Sequence, residues 1–185
     1  MVRNSIRDER QDLILSSALS LVTTGGIASV TMTDIAHHTG LSRPAIYQYF
    51  DSREHILCEL VLNEMADLSN FIDQEIGAGA EPVSCINQWI ALMVDYLVSP
   101  AHRELLSVSV ATFPEESRGI IRALHGQFMT SLLDPLTKLK VDDALSRGRM
   151  IYTLVVDAAS QVSEGADRDH VIAQLQSFVS SALVA

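Results

Sequence analysis

The sequence predicts an all-α protein, and three observations lead to that prediction. Apolar residues recur at helical spacing over long segments, whereas no segment shows the alternation with a period of two that strands require. Five prolines and nine glycines are few for 185 residues. Hydrophobic residues make up 48% of the chain, so a protein of this length can bury a proper core.

Residues 31–50, TMTDIAHHTGLSRPAIYQYF, predict two short helices joined by a tight turn. Thr31 is a candidate N-cap of the first helix, because its hydroxyl can accept a backbone N–H in the first turn. Asp34 follows three residues later, where a carboxylate is stabilised by the positive end of the helix dipole. Ile35 and Ala36 form the buried side of this helix.

The turn and the second helix follow directly. Gly40 supplies the left-handed turn position that other residues adopt only at a cost. Ser42 is a candidate N-cap, and Pro44 falls in the first turn, where a missing N–H is tolerated. Ile46 and Phe50 lie four residues apart and are expected to face inward. This pattern predicts a helix-turn-helix.

A helix-turn-helix places the start of its second helix against base edges in the DNA major groove. Arg43 has the forked geometry that suits guanine, and Gln48 can pair with adenine through two hydrogen bonds. Tyr47 and Tyr49 carry hydroxyls suited to phosphate contacts. The motif alone leaves a second interpretation equally open, namely a plain helical hairpin with polar surface residues.

The flanking segments favour the DNA-binding interpretation. Residues 8–24 predict a helix before the motif, and Gly25 and Gly26 stop it. A long helix is predicted to follow over residues 52–76, with Ser52 as its N-cap and a break at residues 77–79. A helix before the motif and a long helix after it together predict a three-helix DNA-binding domain.

Residues 8–68 resemble the DNA-binding domain of the TetR family of bacterial transcriptional regulators. The residues that carry the resemblance are Thr31, Asp34, Ile35 and Ala36, then Gly40, Leu41 and Ser42, then Ile46, Tyr47, Tyr49 and Phe50, and finally Ser52, Arg53, Glu54, Ile56 and Leu57. The resemblance implies a double-stranded DNA operator as partner. The rest of the chain, residues 69–185, shows no comparable motif, which is also similar to that family.

The predicted DNA interface combines the motif with this resemblance. We expect Arg43 to read a base and Arg53, at the start of the long helix, to hold a phosphate. The full predicted set is Thr31, Thr33, Ser42, Arg43, Pro44, Ala45, Tyr47, Gln48, Tyr49 and Arg53. Ala45 and Arg53 depart from the residues common in similar proteins, so no operator sequence can be carried over.

The remainder of the chain predicts a helical effector-binding and dimerisation domain over residues 69–185. The predicted helices cover residues 82–98, 101–112, 114–140, 142–163 and 167–183. Pro135 should kink or end the helix that contains it. The last two helices are apolar around most of their circumference, so one side can face a second subunit. Small residues such as Ala158 and Ala159 would permit close approach, and the resemblance implies a four-helix dimer interface.

Large apolar side chains at core-facing positions predict a cavity for a small apolar or aromatic effector. The ordinary interpretation of each residue is core packing, and the resemblance implies an inducer between these helices. The predicted ligand-binding residues are Leu68, Trp89, Met93, Tyr96, Phe113, Phe128 and Met129. Asp95 and Tyr96 are candidate polar anchors for that ligand.

Charge and motif content narrow the functional classes. The net charge is −10, but residues 1–57 carry five basic and six acidic side chains, so the acidity belongs to the later part. No motif for nucleophilic catalysis, phosphate binding or dithiol chemistry occurs, so we expect no enzyme, no cofactor and no metal site. Cys58 and Cys85 are expected to be reduced thiols of a cytoplasmic protein with no membrane span.

Two functions therefore remain. The first is a dimeric DNA-binding regulator, most simply a repressor that a small molecule releases from an inverted-repeat operator. The second is a helical carrier or partner-binding module that keeps the helix-turn-helix shape without using it. The nearly neutral charge of the N-terminal part favours the second, and the length of the matching segment favours the first.

Overall fold

The computed structural model of this protein describes residues 2–76, 80–105 and 107–184, and every regular element in these ranges is helical. The α-helices are α1 (Val2–Gly25), α2 (Met32–Thr39), α3 (Arg43–Tyr47), α4 (Arg53–Glu75), α5 (Pro82–Val98), α6 (Pro100–Leu105), α7 (Glu115–Lys138), α8 (Ala144–Ser163) and α9 (Arg168–Val184). Two 3₁₀ turns lie at Ile27–Ser29 and Val110–Thr112. The all-α prediction is confirmed, whereas the break expected at residues 77–79 lies outside the described residues.

The chain forms two compact units. Unit 1 consists of Met1–Glu64 and Pro100–Ile121, and unit 2 consists of Met65–Ser99 and Arg122–Ala185. The sequence placed a domain boundary after residue 68 and assigned residues 100–121 to the second domain. The return of α6 to unit 1 has no local sequence signal, because it depends on tertiary packing.

Unit 1 is built on α1, which packs against α2 and α6, while α2 packs against α3. The apolar side chains that are completely buried in this unit include Ile14, Ala18, Val22, Val30, Ile35, Ile46 and Ile56. Phe50 is 1% exposed. The inward orientation predicted for Ile46 and Phe50 is therefore confirmed.

The helix boundaries of the motif are set by the predicted capping residues. Thr31 Oγ1 accepts the Asp34 N–H at 3.1 Å, and Ser42 Oγ accepts the Ala45 N–H at 3.3 Å. Gly40 has a φ of 70°, in the left-handed region that favours glycine. The predicted start of α2, the turn and the start of α3 are all confirmed.

Unit 2 is organised around α5, which packs against both α8 and α9. Trp89 on α5 is completely buried, and its Nε1 donates to Ser131 Oγ at 3.1 Å and to the Phe128 carbonyl at 3.3 Å. The indole also meets the ring of Tyr152 on α8 edge to face, with centroids 6.5 Å apart. These contacts place Trp89 at the centre of this unit's core.

Two expectations about the later helices are corrected. Residues 101–112 do not form one helix, because α6 ends at Leu105 and only a 3₁₀ turn follows at Val110–Thr112. Ser107 Oγ and Thr112 Oγ1 instead bond the carbonyls three residues before them, which competes with a helix. Of the two outcomes expected at Pro135, an end of the helix is wrong, since α7 continues to Lys138, and a kink stays a prediction. The first helix also begins earlier than predicted, at Val2.

Candidate functional site

The candidate nucleic-acid interface is the outer face of α3. Ile46 is completely buried, whereas Tyr47 is 45% exposed, and Arg43 and Gln48 are also exposed. Ile46 therefore anchors α3 to the core. The side chains of Arg43, Tyr47 and the C-cap residue Gln48 remain exposed to solvent and can form hydrogen bonds. A guanidinium, an amide and a phenol are groups that bind base edges and phosphates.

The other predicted DNA-contact residues divide by exposure. Thr33, Ser42 and Pro44 are exposed, while Ala45 and Tyr49 are half-buried. Thr31 is also half-buried, and its hydroxyl donates to Asp34 Oδ2 at 2.5 Å while it caps α2. The Thr31 hydroxyl proton is thus already used within the protein, which leaves Thr33 as the exposed hydroxyl on α2.

The guanidinium of Arg53, which is predicted to hold a DNA phosphate, also makes hydrogen bonds within the protein. Its Nε donates to the Val30 carbonyl and its Nη2 donates to the Ile27 carbonyl, each at 2.7 Å. Its Nη1 lies 3.6 Å from a carboxylate oxygen of Glu54. Two charge-assisted bonds to backbone carbonyls thus engage Nε and Nη2 of Arg53, while the phosphate contact stays a prediction.

Sequence reasoning missed Glu104, which contacts the same segment. Its Oε2 accepts the Ile27 N–H at 3.2 Å, although the two residues are 77 positions apart. No local pattern in the sequence marks Glu104. A long-range contact of this kind becomes visible only when α6 is placed in unit 1.

The predicted effector residues do not all fall in one unit. Phe113 belongs to unit 1, where it lines a half-enclosed pocket of about 360 Å³ beside the first turns of α4. That pocket is lined by Asp51, Ser52, Glu54, His55, Cys58, Glu59, Thr112, Phe113, Pro114 and Ser117. Phe113 therefore lies in a different unit from the other predicted effector residues, and its part in effector binding stays a prediction.

The other six predicted effector residues belong to unit 2. Trp89, Met93, Phe128 and Leu68 are each at most 5% exposed, while Tyr96 and Met129 are half-buried. Trp89 and Phe128 are in contact through the indole hydrogen bond. Asp95, the candidate polar anchor, is exposed. Its carboxylate accepts two hydrogen bonds of 2.6 Å from the Arg168 guanidinium rather than facing the buried aromatic side chains.

An exposed apolar groove runs along α8 and α9. Met150 and Phe178 are each 63% exposed and Leu154 is 36% exposed, and the groove that they line has a volume of about 470 Å³. Ala158 and Ala159 do not belong to this face, because they are 3% and 5% exposed within unit 2. The prediction that these alanines face a second subunit is corrected.

Residues 2–76, 80–105 and 107–184 contain no group of three or more His, Cys, Asp or Glu side chains arranged to hold a metal ion. Nor do they contain a helix with the length and hydropathy needed to cross a bilayer.

A protein-family model matches the segment of the chain that contains the candidate interface. Residues 14–60 match the model of bacterial regulatory proteins of the tetR family. The HTH-type transcriptional regulator EthR of Mycolicibacterium smegmatis is 32% identical over 111 residues, which are 58% of this chain and 51% of EthR. The HTH-type transcriptional repressor KstR of Mycobacterium tuberculosis is 28% identical over 79 residues, 43% of this chain and 36% of KstR. The chain thus spans about half or less of these relatives.

Solved structures show the same fold over nearly the whole chain. A putative transcriptional regulator from Saccharomonospora viridis, in complex with choline, superposes with a TM-score of 0.77 and 20% identity, covering 94% of this chain and 96% of that one. FadR from Bacillus subtilis, in complex with stearoyl-CoA, gives a TM-score of 0.69 and 19% identity, covering 94% and 97%. At these identities the likeness concerns the fold alone.

Proposed function

We propose, on the premise that this chain belongs to the TetR family of bacterial regulatory proteins, that it is a dimeric repressor of transcription. It binds an inverted-repeat operator, and a small molecule releases it. The observation that carries the proposal is the exposure of Arg43 and Tyr47 on α3, and of Gln48 at its C-cap, around the completely buried Ile46. The regulators and repressors to which the chain is similar support the same function.

The chemistry of α3 assigns a role to each exposed side chain. Arg43 suits guanine, whose O6 and N7 accept both arms of a guanidinium, and Gln48 suits adenine. Tyr47 suits a phosphate oxygen, which fixes orientation without reading sequence. Since the chain carries a net charge of −10, we expect modest nonspecific affinity and a dependence on two recognition helices acting together.

The groove along α8 and α9 supports the homodimer. Met150, Leu154 and Phe178 expose apolar surface on two neighbouring helices, and burial of such surface drives association. A two-fold interface places the same surface of each subunit against the other. Two recognition helices related by this symmetry would read an operator that is itself an inverted repeat.

The buried aromatic side chains of unit 2 support an apolar or aromatic effector. We infer that Ser69 on α4 also contributes to this site, because it is 2% exposed and its Oγ has no hydrogen-bond partner within the described residues. A buried hydroxyl without a partner costs about 1–3 kcal/mol. An effector with a hydrogen-bonding group beside its apolar body would satisfy this hydroxyl.

Release of the operator would follow if the effector favours one position of α4. This helix begins at Arg53 and also carries Leu68 and Ser69, so its displacement would change the spacing of the two recognition helices of the dimer. The effector must bind the two arrangements with different affinity, typically by about 1–3 kcal/mol.

Operator binding is tested by fluorescence anisotropy with a duplex from the chain's own promoter, titrated at several salt concentrations. Arg43→Ala should weaken binding by about 1–3 kcal/mol per half-site and relax the preference at one base pair. Lys138→Ala is the control, since it removes the same charge from an exposed position at the end of α7. Equal losses from both variants would contradict the role of Arg43.

Effector binding is tested by thermal shift with a library of small apolar and aromatic compounds. A ligand at 100 times its dissociation constant stabilises the fold by about 2.7 kcal/mol. Ser69→Ala should be more stable than the wild type without ligand and should bind a hit more weakly. Unchanged affinity of the hits for Ser69→Ala would contradict the role of this hydroxyl.

A further inference from the structure

The segment that leads into α2 is held by two side chains of opposite charge. The Ile27 N–H donates to Glu104 Oε2 at 3.2 Å, and the Ile27 carbonyl accepts Arg53 Nη2 at 2.7 Å. The Val30 carbonyl accepts Arg53 Nε at 2.7 Å. Residues 26–30, Glu104 and Arg53 all belong to unit 1, and we call this arrangement the loop clamp.

Gly26 shows that the segment is shaped to fit Glu104. Its φ is 73°, in the left-handed region that L side chains rarely adopt. A Cβ at this position would also lie 3.0 Å from Glu104 Oε2. The backbone conformation therefore favours glycine at residue 26, and a Cβ there would also press on the carboxylate of Glu104.

The clamped segment determines where α2 begins. Val30 is completely buried and directly precedes Thr31, the N-cap of α2. Because α2 packs against α3, a displacement of Val30 would move α2, and the exposed residues of α3 would move with it. The two bonds that Arg53 makes therefore hold the segment from which α2 starts, and α2 in turn packs against α3.

The chemistry of the clamp depends on the shape of the guanidinium as well as its charge. Arginine presents several N–H groups in a planar fork, so Arg53 reaches two carbonyls that are three residues apart in the chain. A lysine carries the same charge as a single ammonium on a flexible stem and cannot reproduce that geometry. Glu104 needs only one acceptor oxygen, which glutamine also provides.

We propose that Arg53 and Glu104 are positioning residues for DNA recognition. Together they fix the segment 26–30 and thereby set α2 and α3, and Arg53 acts on operator affinity through this clamp rather than through a phosphate. The proposal rests on the proposed function as a DNA-binding regulator.

The test compares Arg53→Lys and Arg53→Ala with the wild type, as the full chain, in operator binding over a range of salt concentrations. Circular dichroism selects a temperature at which every variant is fully folded. We expect both variants to bind about tenfold more weakly, as for loss of a charge-assisted hydrogen bond. The dependence of log K on log salt should keep the wild-type slope, because no phosphate contact is lost.

Glu104→Gln and Glu104→Ala form the matched pair for the other side of the clamp. Glu104→Gln should retain affinity within about twofold because it keeps an acceptor for the Ile27 N–H, whereas Glu104→Ala should weaken binding. Hydrogen exchange of the Ile27 amide gives a readout that needs no DNA. The exchange should be faster in Glu104→Ala than in the wild type, and unchanged in Glu104→Gln. That readout separates failure of the clamp from failure of the proposed function.

Two results would overturn the proposal. Wild-type affinity in Arg53→Lys, with a slope lowered by about one unit in Arg53→Ala, would identify a phosphate contact instead. Lower melting temperatures for the Arg53 and Glu104→Ala variants with unchanged operator affinity would identify the clamp as a stabilising contact that does not position α3.

Discussion

The guanidinium of Arg168, the first residue of α9, binds the carboxylate of Asp95 on α5 through two hydrogen bonds of 2.6 Å. The hydrogen bonds that Arg168 donates to Asp95 and to Asp169 hold the pKa of Arg168 above its ordinary value. Both members of the pair are close to half exposed, with side-chain exposures of 45% and 46%. The pair therefore joins two helices of unit 2 at the surface, where water and salt weaken it.

Asp95→Asn should lower the free energy of unfolding by about 0.5–1 kcal/mol, the upper range for an exposed pair with this two-bond geometry. Urea unfolding at low salt measures the loss, and 1 M sodium chloride should reduce it. Asp73→Asn, at an exposed position on α4, is the control for removing one negative charge. A loss that is the same at both salt concentrations would contradict an electrostatic origin.

Asp143 gives a pH-dependent contribution to stability at the start of α8. Hydrogen bonds from Ser146 lower the pKa of Asp143 from its ordinary value of 3.8, so the folded state favours the carboxylate. This stabilisation is fully present above pH 3.8 and is lost as the pH falls through the lowered pKa of the folded state.

Asp143→Asn isolates this effect, because asparagine tolerates the φ of 49° at this position and can still accept the Ser146 N–H. The variant should melt below the wild type near neutral pH, and the difference should disappear well below pH 3.8. Thermal melts of both proteins at pH 7, 5 and 3 measure this difference in melting temperature. A difference that persists unchanged at pH 3 would show that the charge of Asp143 is not its cause.

Gly40 and Gly119 should respond in opposite directions to the same substitution. Gly40→Ala should destabilise the fold by about 1–2 kcal/mol, because its φ of 70° strains an L residue although no atom lies within 4 Å of the added Cβ. Gly119→Ala, within α7 and equally free of contacts, should stabilise by about 0.5–1 kcal/mol. Urea unfolding measures both changes in the free energy of unfolding. Equal changes for the two variants would contradict the conformational argument.

The dimer proposal predicts monomers from Leu154→Glu and Phe178→Glu, because each places a charge on the apolar groove along α8 and α9. Both variants should also lose operator binding. Ile120→Glu is the control, since Ile120 is 45% exposed on α7 and lies outside that groove. Sedimentation velocity at micromolar concentration measures the oligomeric state of each variant. A wild-type monomer that binds a palindrome tightly would exclude the dimer.

The motif could be predicted from sequence because its signals are local. Thr31, Gly40 and Ser42 each act within three or four residues of themselves, and the alternation of buried and exposed positions around Ile46 follows from helical geometry alone. The bounds of α5 were predicted for the same reason, since Pro82 marks its first turn.

Long-range contacts could not be predicted in this way. Glu104 reaches Ile27 across 77 positions, and Arg168 reaches Asp95 across 73. The burial of Ala158 and Ala159 shows a related limit, because α8 is apolar on two sides and only tertiary packing decides which side faces α5. The carbonyl partners of Arg53 show the same limit, since they lie in a loop whose position the sequence does not specify.

Sequence-specific operator binding is tested most directly by selecting bound duplexes from a random pool, with the full chain at low and moderate salt. We predict enrichment of an inverted repeat with half-site centres about 34–36 Å apart, or slightly more. The Arg43→Ala variant should enrich a repeat with a relaxed preference at one position of each half-site. A pool that remains random at both salt concentrations would contradict the account and favour a helical module that does not use its helix-turn-helix.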